Sequence, residues 1–255
     1  MSYILTETRG PVLIITLNRP DARNAFNAAM AAEMEAIIDR YEDDSDLRVA
    51  ILRAEGSTFC SGQDLKEAAQ GGRAVAPTRG GFGIMKKPPV KPLIAAVDGQ
   101  ALAGGMELTL CCDLVVASTS SVFGLAEAKR GLVAVGGGCF RLPKRLPWAI
   151  AMELILTAEP KSAQEMKHFG YVNSVVEPGA VLDEALRLAA LIARNGPLAV
   201  KASKGIALAS VTENWIDDEA WEKQLGIVAP VMASEDLKEG LAAFAQKRDP
   251  VWKGR

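Results

Sequence analysis

Residues 95–113, AAVDGQALAGGMELTLCCD, indicate both the fold class of this chain and the position of its site. The apolar run 93–97 is typical of a strand buried on both faces of a largely parallel sheet. The small residues after it indicate a tight turn, and the apolar residues after the turn indicate a helix. Free N–H groups of Gly104 and Gly105 at the start of that helix could bind an anionic oxygen. A tight strand-to-helix turn needs glycine for packing alone, so both interpretations stay open.

Apolar patterns on both sides of this stretch predict an α/β chain. Segments 4–9 and 12–18 flank the turn-forming pair Gly10 and Pro11, which favours an opening β-hairpin. Asn27 can cap a helix whose apolar positions share one face, namely Met30, Met34, Ile37, Ile38 and Tyr41. The other predicted elements are strands at 49–52, 114–117 and 172–176 and helices at 149–156, 163–169, 181–194 and 197–209.

The segment 70–92 interrupts these patterns with five glycines and four prolines. That composition predicts a mobile loop over a site rather than an interior element. No low-complexity linker divides the chain, so we predict a β/α core over 1–195 followed by a helical region over 196–255.

Composition excludes several classes of function. Of the 255 residues, 49% are hydrophobic and 24% are charged, which is typical of a folded globular chain. The net charge is -2 with acidic and basic residues interspersed, so the chain lacks the basic surface of a nucleic-acid-binding or membrane-surface protein. We therefore expect a small-molecule partner, with no nucleic acid and no membrane.

The single histidine and the four cysteines narrow the chemistry further. His168 lies at the end of a predicted helix, a position typical of a polar capping residue rather than of a hydrolase base. Cys60, Cys111, Cys112 and Cys139 lack the spacing of a zinc site and are predicted to be buried free thiols. The N-terminus lacks a signal-peptide pattern and no apolar run approaches ~18 residues, so we expect a cytoplasmic protein.

A second turn, residues 59–66 (FCSGQDLK), follows the predicted strand at 49–52. It could point the N–H group of Gln63 toward the same place as Gly104. Two converging N–H donors form an oxyanion hole, and enolate formation at a thioester needs one without a nucleophilic serine. The side chains of Asp64 and Lys66 are predicted to form a surface pair.

Two carboxylates complete this set of candidates. Glu107 lies in the first turn after the glycines, where a glutamate commonly complements the helix dipole. Glu127 precedes Lys129 and Arg130, a pattern typical of a surface ion pair. Together the two offer what hydration requires, one group to activate water and one to handle a proton at carbon.

These segments resemble the crotonase, or enoyl-CoA hydratase/isomerase, superfamily over essentially the whole chain. The resemblance is carried by 15–20 (ITLNRP) with Asn24 and Ala25, 59–66, 95–113, 123–131 and 170–176 (GYVNSVV). Within the superfamily, 127–129, 141–144 (RLPK) and the ending 247–255 (KRDPVWKGR) most resemble the carnitinyl-CoA dehydratases.

The resemblance implies a crotonase-like core of repeated ββα units forming two nearly perpendicular sheets. It also implies a helical C-terminal region that builds homotrimers, often paired as dimers of trimers. The implied enzyme is an enoyl-CoA hydratase or dehydratase that uses no metal and no cofactor, because coenzyme A is part of the substrate. Gln63 and Gly104 match the oxyanion-hole donors, and Glu107 and Glu127 match the two catalytic glutamates.

The same resemblance implies contacts between CoA and the turn formed by Gln63, Asp64, Leu65 and Lys66, together with Gly104. The chain departs from the family pattern at three places. Gln63 replaces a small residue, Ala126 replaces a proline, and 134–135 (AV) stands where proline-glycine is typical. These departures put the shape of the acyl pocket in question rather than the water chemistry.

Three alternatives stay open from the sequence. The same enolate would serve double-bond isomerisation, some proteins resembling this family bind RNA, and a catalytically silent CoA-binding subunit would keep the fold. For the assembly, apolar positions in the tail predict an interface, namely Trp215, Trp221, Ile227 and Val228.

Overall fold

The computed structural model describes residues 2–213 and 217–255 as an α/β fold, which confirms the predicted class. The strands are β1 Ile4–Arg9, β2 Val12–Leu17, β3 Val49–Ala54, β4 Thr58–Cys60, β5 Val75–Ala76, β6 Gly80–Gly81, β7 Leu93–Val97, β8 Gln100–Leu102, β9 Leu114–Ser118, β10 Val122–Gly124, β11 Lys161–Ser162 and β12 Ser174–Val176. The helices are α1 Ala28–Asp43, α2 Leu65–Ala68, α3 Gly104–Thr109, α4 Gly138–Arg145, α5 Trp148–Thr157, α6 Ala163–His168, α7 Val181–Ala193, α8 Pro197–Thr212, α9 Asp217–Met232 and α10 Glu235–Gln246.

A six-stranded sheet with the order β1-β2-β3-β7-β9-β12 forms the centre of the fold. β1 and β2 form the predicted antiparallel hairpin, in which Arg9 pairs with Val12. From β2 to β12 all neighbouring strands are parallel. β7 is buried along its whole length, which explains why its sequence is a continuous apolar run rather than an alternating one.

A repeated pair of strands places three turns at one edge of the fold. Each of β3, β7 and β9 is followed by a short strand in a second sheet, whose order is β11-β10-β8-β4. Because β4, β8 and β10 are parallel, their carboxyl ends lie at the same edge. The candidate site residues from the sequence all follow these three strands, so the repeat brings them to one edge.

Helix α1 confirms the prediction made from its apolar stripe. The side chain of Asn27 caps the helix by accepting the N–H of Met30 at 2.8 Å. Its buried positions are Met30, Ala31, Met34, Ile37, Ile38 and Tyr41. The Tyr41 hydroxyl donates to the carbonyl of Pro92 at 2.7 Å, which ties this helix to the start of β7.

The segment 70–92 is packed into the protein, so the prediction that it is too irregular for the interior was wrong. Arg79, which is 2% exposed, forms ion pairs with Asp39 and Glu42 of α1. The ring of Phe82 stacks on Phe26 with 4.3 Å between centroids. A buried arginine paired with carboxylates anchors this segment, and neither hydrophobic periodicity nor glycine content reveals such an anchor.

One thiol differs from its predicted environment. Cys60, Cys111 and Cys112 are buried as expected, whereas Cys139 is exposed. The buried positions of α4 are Gly138 and Leu142, and Cys139 lies off that face.

The C-terminal region after residue 196 is helical. Trp221 of α9 is 65% exposed and Trp215 lies outside the described residues. Trimerisation through this region stays a prediction. Within the described ranges, no helix is both long and apolar enough to cross a bilayer.

Candidate active site

Two backbone turns meet where β4 and β8 end. A Cβ atom built on Gly62 would lie 3.1 Å from the backbone nitrogen of Gly104, so the two turns approach too closely for a side chain between them. Within residues 2–213 and 217–255, neither the Gln63 N–H nor the Gly104 N–H donates a hydrogen bond. Gly104 is buried, and a buried N–H group normally has a partner. Both groups are therefore available to a ligand oxygen.

The two glycines that open α3 have different physical roles. A Cβ on Gly105 would overlap the carbonyl of Cys60, so Gly105 serves the packing of α3 against β4. A Cβ on Gly104 would lie 2.6 Å from the ring of Phe82. Ala103 before them has φ 52° and ψ -126°, a strained conformation of the kind that clusters at functional sites. Packing explains Gly105, while Gly104 combines a tight fit with an unpartnered donor.

Glu107 projects from the first turn of α3 and is 4% exposed. Its Oε1 accepts the N–H of Gly138 at 2.8 Å. Burial raises the pKa of this carboxyl, while the N–H groups of Gly138 and Gly136 and the charge of Arg141 oppose the rise. Glu107 therefore lies in the first helical turn, as the sequence indicates, and its carboxyl is withdrawn from water.

Glu127 directly precedes a 3₁₀ turn, Ala128–Arg130, and is partly buried. Its Oε2 is buried and has no hydrogen-bond partner in the described part of the chain. Burial raises the pKa of Glu127 to about 7, and the charge of Glu107 adds to the rise. Lys129 pairs with Glu159 at 2.8 Å, so it does not form the surface pair considered for Glu127.

A cavity of about 150 Å³ lies beside Glu127. It is connected to the other carboxyl by residues 132–138, because Ala134 lines the cavity and Gly138 binds Glu107. A second cavity, of about 140 Å³ beside Asp98, contains neither glutamate. In the part of the chain that the structure describes, no group of three or more His, Cys, Asp or Glu side chains is placed to hold a metal ion.

The sequence matches a family model over residues 7–255, and that family is described as enoyl-CoA hydratase/isomerase. The chain belongs to this family.

Individual members of the enoyl-CoA hydratase/isomerase family match over the full length. Carnitinyl-CoA dehydratase of Proteus mirabilis is 44% identical over 255 residues, which covers 97% of each chain. The crystal structure of an enoyl-CoA hydratase from Mycobacterium tuberculosis is 49% identical, with a TM-score of 0.95 over 99% of both chains. The structure of a carnitinyl-CoA dehydratase from Mycobacterium avium is 42% identical, with a TM-score of 0.80 over 100% of both chains. The predicted family is confirmed, and these relatives are named for hydro-lyase reactions, the enzyme class expected from the sequence.

In this member of the family, the turn predicted to contact CoA makes side-chain contacts that differ from those predicted. Asp64 forms an ion pair with Arg19 at 2.7 Å and accepts the backbone N–H of Lys66 at 2.9 Å. The predicted surface pair of Asp64 with the Lys66 side chain was therefore wrong, because the helix cap and Arg19 occupy that carboxylate. The side chains of Leu65 and Lys66 are exposed and open to a ligand.

Arg141 is a site residue that sequence reasoning missed. Its guanidinium donates to the carbonyls of Gly136 at 3.0 Å and Met85 at 2.6 Å. Gly136 is confined in turn, because a Cβ there would lie 2.6 Å from Glu107 Oε2. The glycine run 136–138 was the available signal, since three consecutive glycines indicate close backbone approach.

Proposed function

We propose that this chain catalyses the reversible syn addition of water to the α,β double bond of a 2-enoyl-CoA thioester. The observation that carries the proposal is the carboxyl pair Glu107 and Glu127, both withdrawn from water and both with raised pKa values. Carboxyl groups with raised pKa values are typical of catalytic sites, and Glu127 lines the cavity. Family relatives named for hydratase and dehydratase reactions support the same class of chemistry.

The thioester oxygen accepts hydrogen bonds from the N–H groups of Gln63 and Gly104 in this proposal. As water attacks the β-carbon, the π electrons of the double bond move toward that oxygen and form an enolate. Fixed N–H donors stabilise the developing charge without having to reorganise. The support for this role is that both donors are unpartnered and lie on turns that approach each other closely.

The two carboxyls divide the proton transfers. Glu107, in its ionised form, takes a proton from the attacking water while the new C–O bond forms. Glu127, in its protonated form, gives its proton to the α-carbon as the enolate collapses to the thioester. A proton returning from Glu107 to Glu127 completes the cycle, and dehydration runs the same steps in reverse. A pKa of about 7 suits Glu127 to this exchange, because a group is protonated and deprotonated with equal ease near its pKa.

CoA is proposed to lie against the turn of Gln63, Asp64, Leu65 and Lys66, next to Gly104. Lys66 is the exposed cation on that turn and suits a phosphate. The working assembly is proposed to be a homotrimer or a dimer of trimers. RNA binding lacks electrostatic support, because the net charge is -2.

Solvent labelling tests the proposal against isomerisation and against a silent CoA-binding role. Crotonyl-CoA is incubated with the protein in H₂¹⁸O, and the product is analysed by mass spectrometry. Hydration places one ¹⁸O on the β-carbon, whereas isomerisation of crotonyl-CoA to its 3-enoyl isomer introduces no oxygen. A folded protein that binds CoA but incorporates no label would contradict the proposed reaction.

A further inference from the structure

The cavity beside Glu127 is suited to uncharged groups. Its lining is apolar except for the glutamate itself and consists of Leu125, Glu127, Ala128, Leu132, Val133, Ala134, Cys139 and Ile155. None of these residues carries an aromatic ring. Quaternary ammonium groups are recognised by the faces of aromatic rings, and a charge moved into an apolar site loses its hydration. This lining offers such a cation no compensation beyond a carboxyl that the reaction requires for proton transfer.

The charges around the cavity largely cancel, so they add no attraction for a cation. Lys129 and Arg130 follow Glu127 in the chain, and the charge of Arg130 reaches the Glu127 carboxyl. The carboxylate of Glu159 is already paired with Lys129 at 2.8 Å. The charge of Arg130 is offset by that of Glu107, which also reaches Glu127, so a cationic acyl group gains no net attraction from its surroundings.

The size of the cavity limits the acyl group as well. An apolar protein cavity of about 150 Å³ holds a molecule the size of benzene. The cavity beside Glu127 has this volume and is partly open toward Leu132 and Val133, which are 51% and 65% exposed. A branched C4 to C6 group or a phenyl ring fits such a space.

We infer that the acyl substituent of the substrate is apolar, uncharged and about the size of benzene, and that acyl groups bearing a trimethylammonium cation are discriminated against. This inference rests on the proposed hydration reaction, since it takes the cavity beside Glu127 to hold the acyl chain. The chain is similar in sequence to carnitinyl-CoA dehydratases, whose name specifies an acyl group with that cation. Its backbone superposes more closely on the solved hydratase than on the solved carnitinyl-CoA dehydratase.

A pair of substrates with equal shape and different charge tests the inference. Crotonobetainyl-CoA carries a trimethylammonium group, and 5,5-dimethylhex-2-enoyl-CoA carries a tert-butyl group in the same position. We expect kcat/KM for the tert-butyl substrate to be at least about tenfold higher. Equal rates, or a preference for the cation, would overturn the inference while leaving hydration intact. Failure to hydrate the tert-butyl substrate when crotonyl-CoA reacts would overturn the inference that the cavity accepts a group of this size.

Binding of the saturated analogues separates the inference from the reaction. Calorimetry compares 5,5-dimethylhexanoyl-CoA with γ-butyrobetainyl-CoA, neither of which can be hydrated. We expect the neutral thioester to bind at least about tenfold more tightly. If hydration is absent but this preference is found, the proposed function fails and the cavity's selectivity stands. If hydration is found without the preference, the inference fails alone.

A substitution in the lining should move the selectivity. Cys139→Asp adds a carboxylate to the cavity wall, and Cys139→Asn adds a neutral group of the same shape. Cys139→Asp should lower the ratio of kcat/KM for the tert-butyl substrate to kcat/KM for crotonobetainyl-CoA by at least about fivefold. Cys139→Asn should leave this ratio unchanged. Because both substrates depend on the same Glu127, any effect on catalysis cancels in the ratio. An unchanged ratio in a folded Cys139→Asp variant would show that the acyl group lies elsewhere.

Discussion

The backbone N–H of Gly138 donates to Oε1 of Glu107 at 2.8 Å, so the first residue of α4 fixes one carboxyl of the proposed catalytic pair. Gly136 borders the other oxygen of the same carboxyl, and Arg141 holds Gly136 through its carbonyl. The position and charge of Glu107 therefore depend on a loop about thirty residues away in sequence.

Gly136→Ala should reduce turnover without unfolding the protein. The added Cβ would lie 2.6 Å from Glu107 Oε2 and even closer to the Met85 sulfur, so the carboxyl has to move. Displacements of about 1 Å can cost about 10² in rate, and we expect a loss of at least about tenfold in kcat. Gly205→Ala is the matched control, because nothing lies within 4 Å of its Cβ. It should keep full activity and gain about 0.5–1 kcal/mol in stability from helix propensity.

Arg141→Met should shift the acidic limb of the pH profile of kcat/KM to higher pH. The charge of Arg141 lowers the pKa of Glu107 against the effect of burial, so its removal lets that pKa rise further. Arg141→Lys keeps the positive charge but cannot donate to both the Gly136 and Met85 carbonyls as the guanidinium does. It should therefore shift the acidic limb of the pH profile less than Arg141→Met does. A lower rate with an unchanged limb in both variants would show that Arg141 acts on packing alone.

Glu127→Gln should stabilise the protein at alkaline pH. A raised pKa means that the folded state binds this proton more tightly than the unfolded chain does. The free energy of unfolding therefore decreases as pH rises from about 4.5 to about 7. The glutamine amide does not ionise, so the variant does not lose this stability. The difference in Tm between Glu127→Gln and wild type should therefore grow between about pH 4.5 and pH 7 and be small below pH 4.5. Glu222→Gln, which makes the same charge change at an exposed position, should show no such growth.

Most of this fold can be predicted from the sequence because the patterns that indicate it lie within short, continuous segments. The stripe on α1 and the apolar run of β7 each follow from a single periodicity, and the turn at Gly104 follows from its small residues. The anchors of the segment 70–92 could not be predicted, since Arg79 finds its partners some 40 residues away in α1. The same holds for Arg141, whose contacts with Met85 and Gly136 exist only in the folded chain.

The C-terminal helices should mediate assembly into a trimer or hexamer. Trp221 and Leu225 of α9 are 65% and 63% exposed and lie one helical turn apart, an arrangement that usually marks an interface. Sedimentation should give three or six times the chain mass of 27.1 kDa. The double substitution Trp221→Glu and Leu225→Glu should shift the protein toward smaller species, whereas Leu5→Glu, on a strand with polar exposed neighbours, should not. A wild-type monomer at micromolar concentration would contradict this prediction.

A double-mutant cycle on turnover tests whether Glu107 and Glu127 act together on one water molecule. Glutamine keeps the size and much of the hydrogen bonding of each side chain but cannot exchange a proton. General acid–base catalysis contributes about 10² to 10⁴ in rate, so each of Glu107→Gln and Glu127→Gln should lower kcat by at least about 10². The double variant should lose far less than the product of the two single losses, as expected of residues that work as a unit. If either folded single variant hydrates its best enoyl-CoA at nearly the wild-type rate, or if the losses simply multiply, the shared mechanism is contradicted.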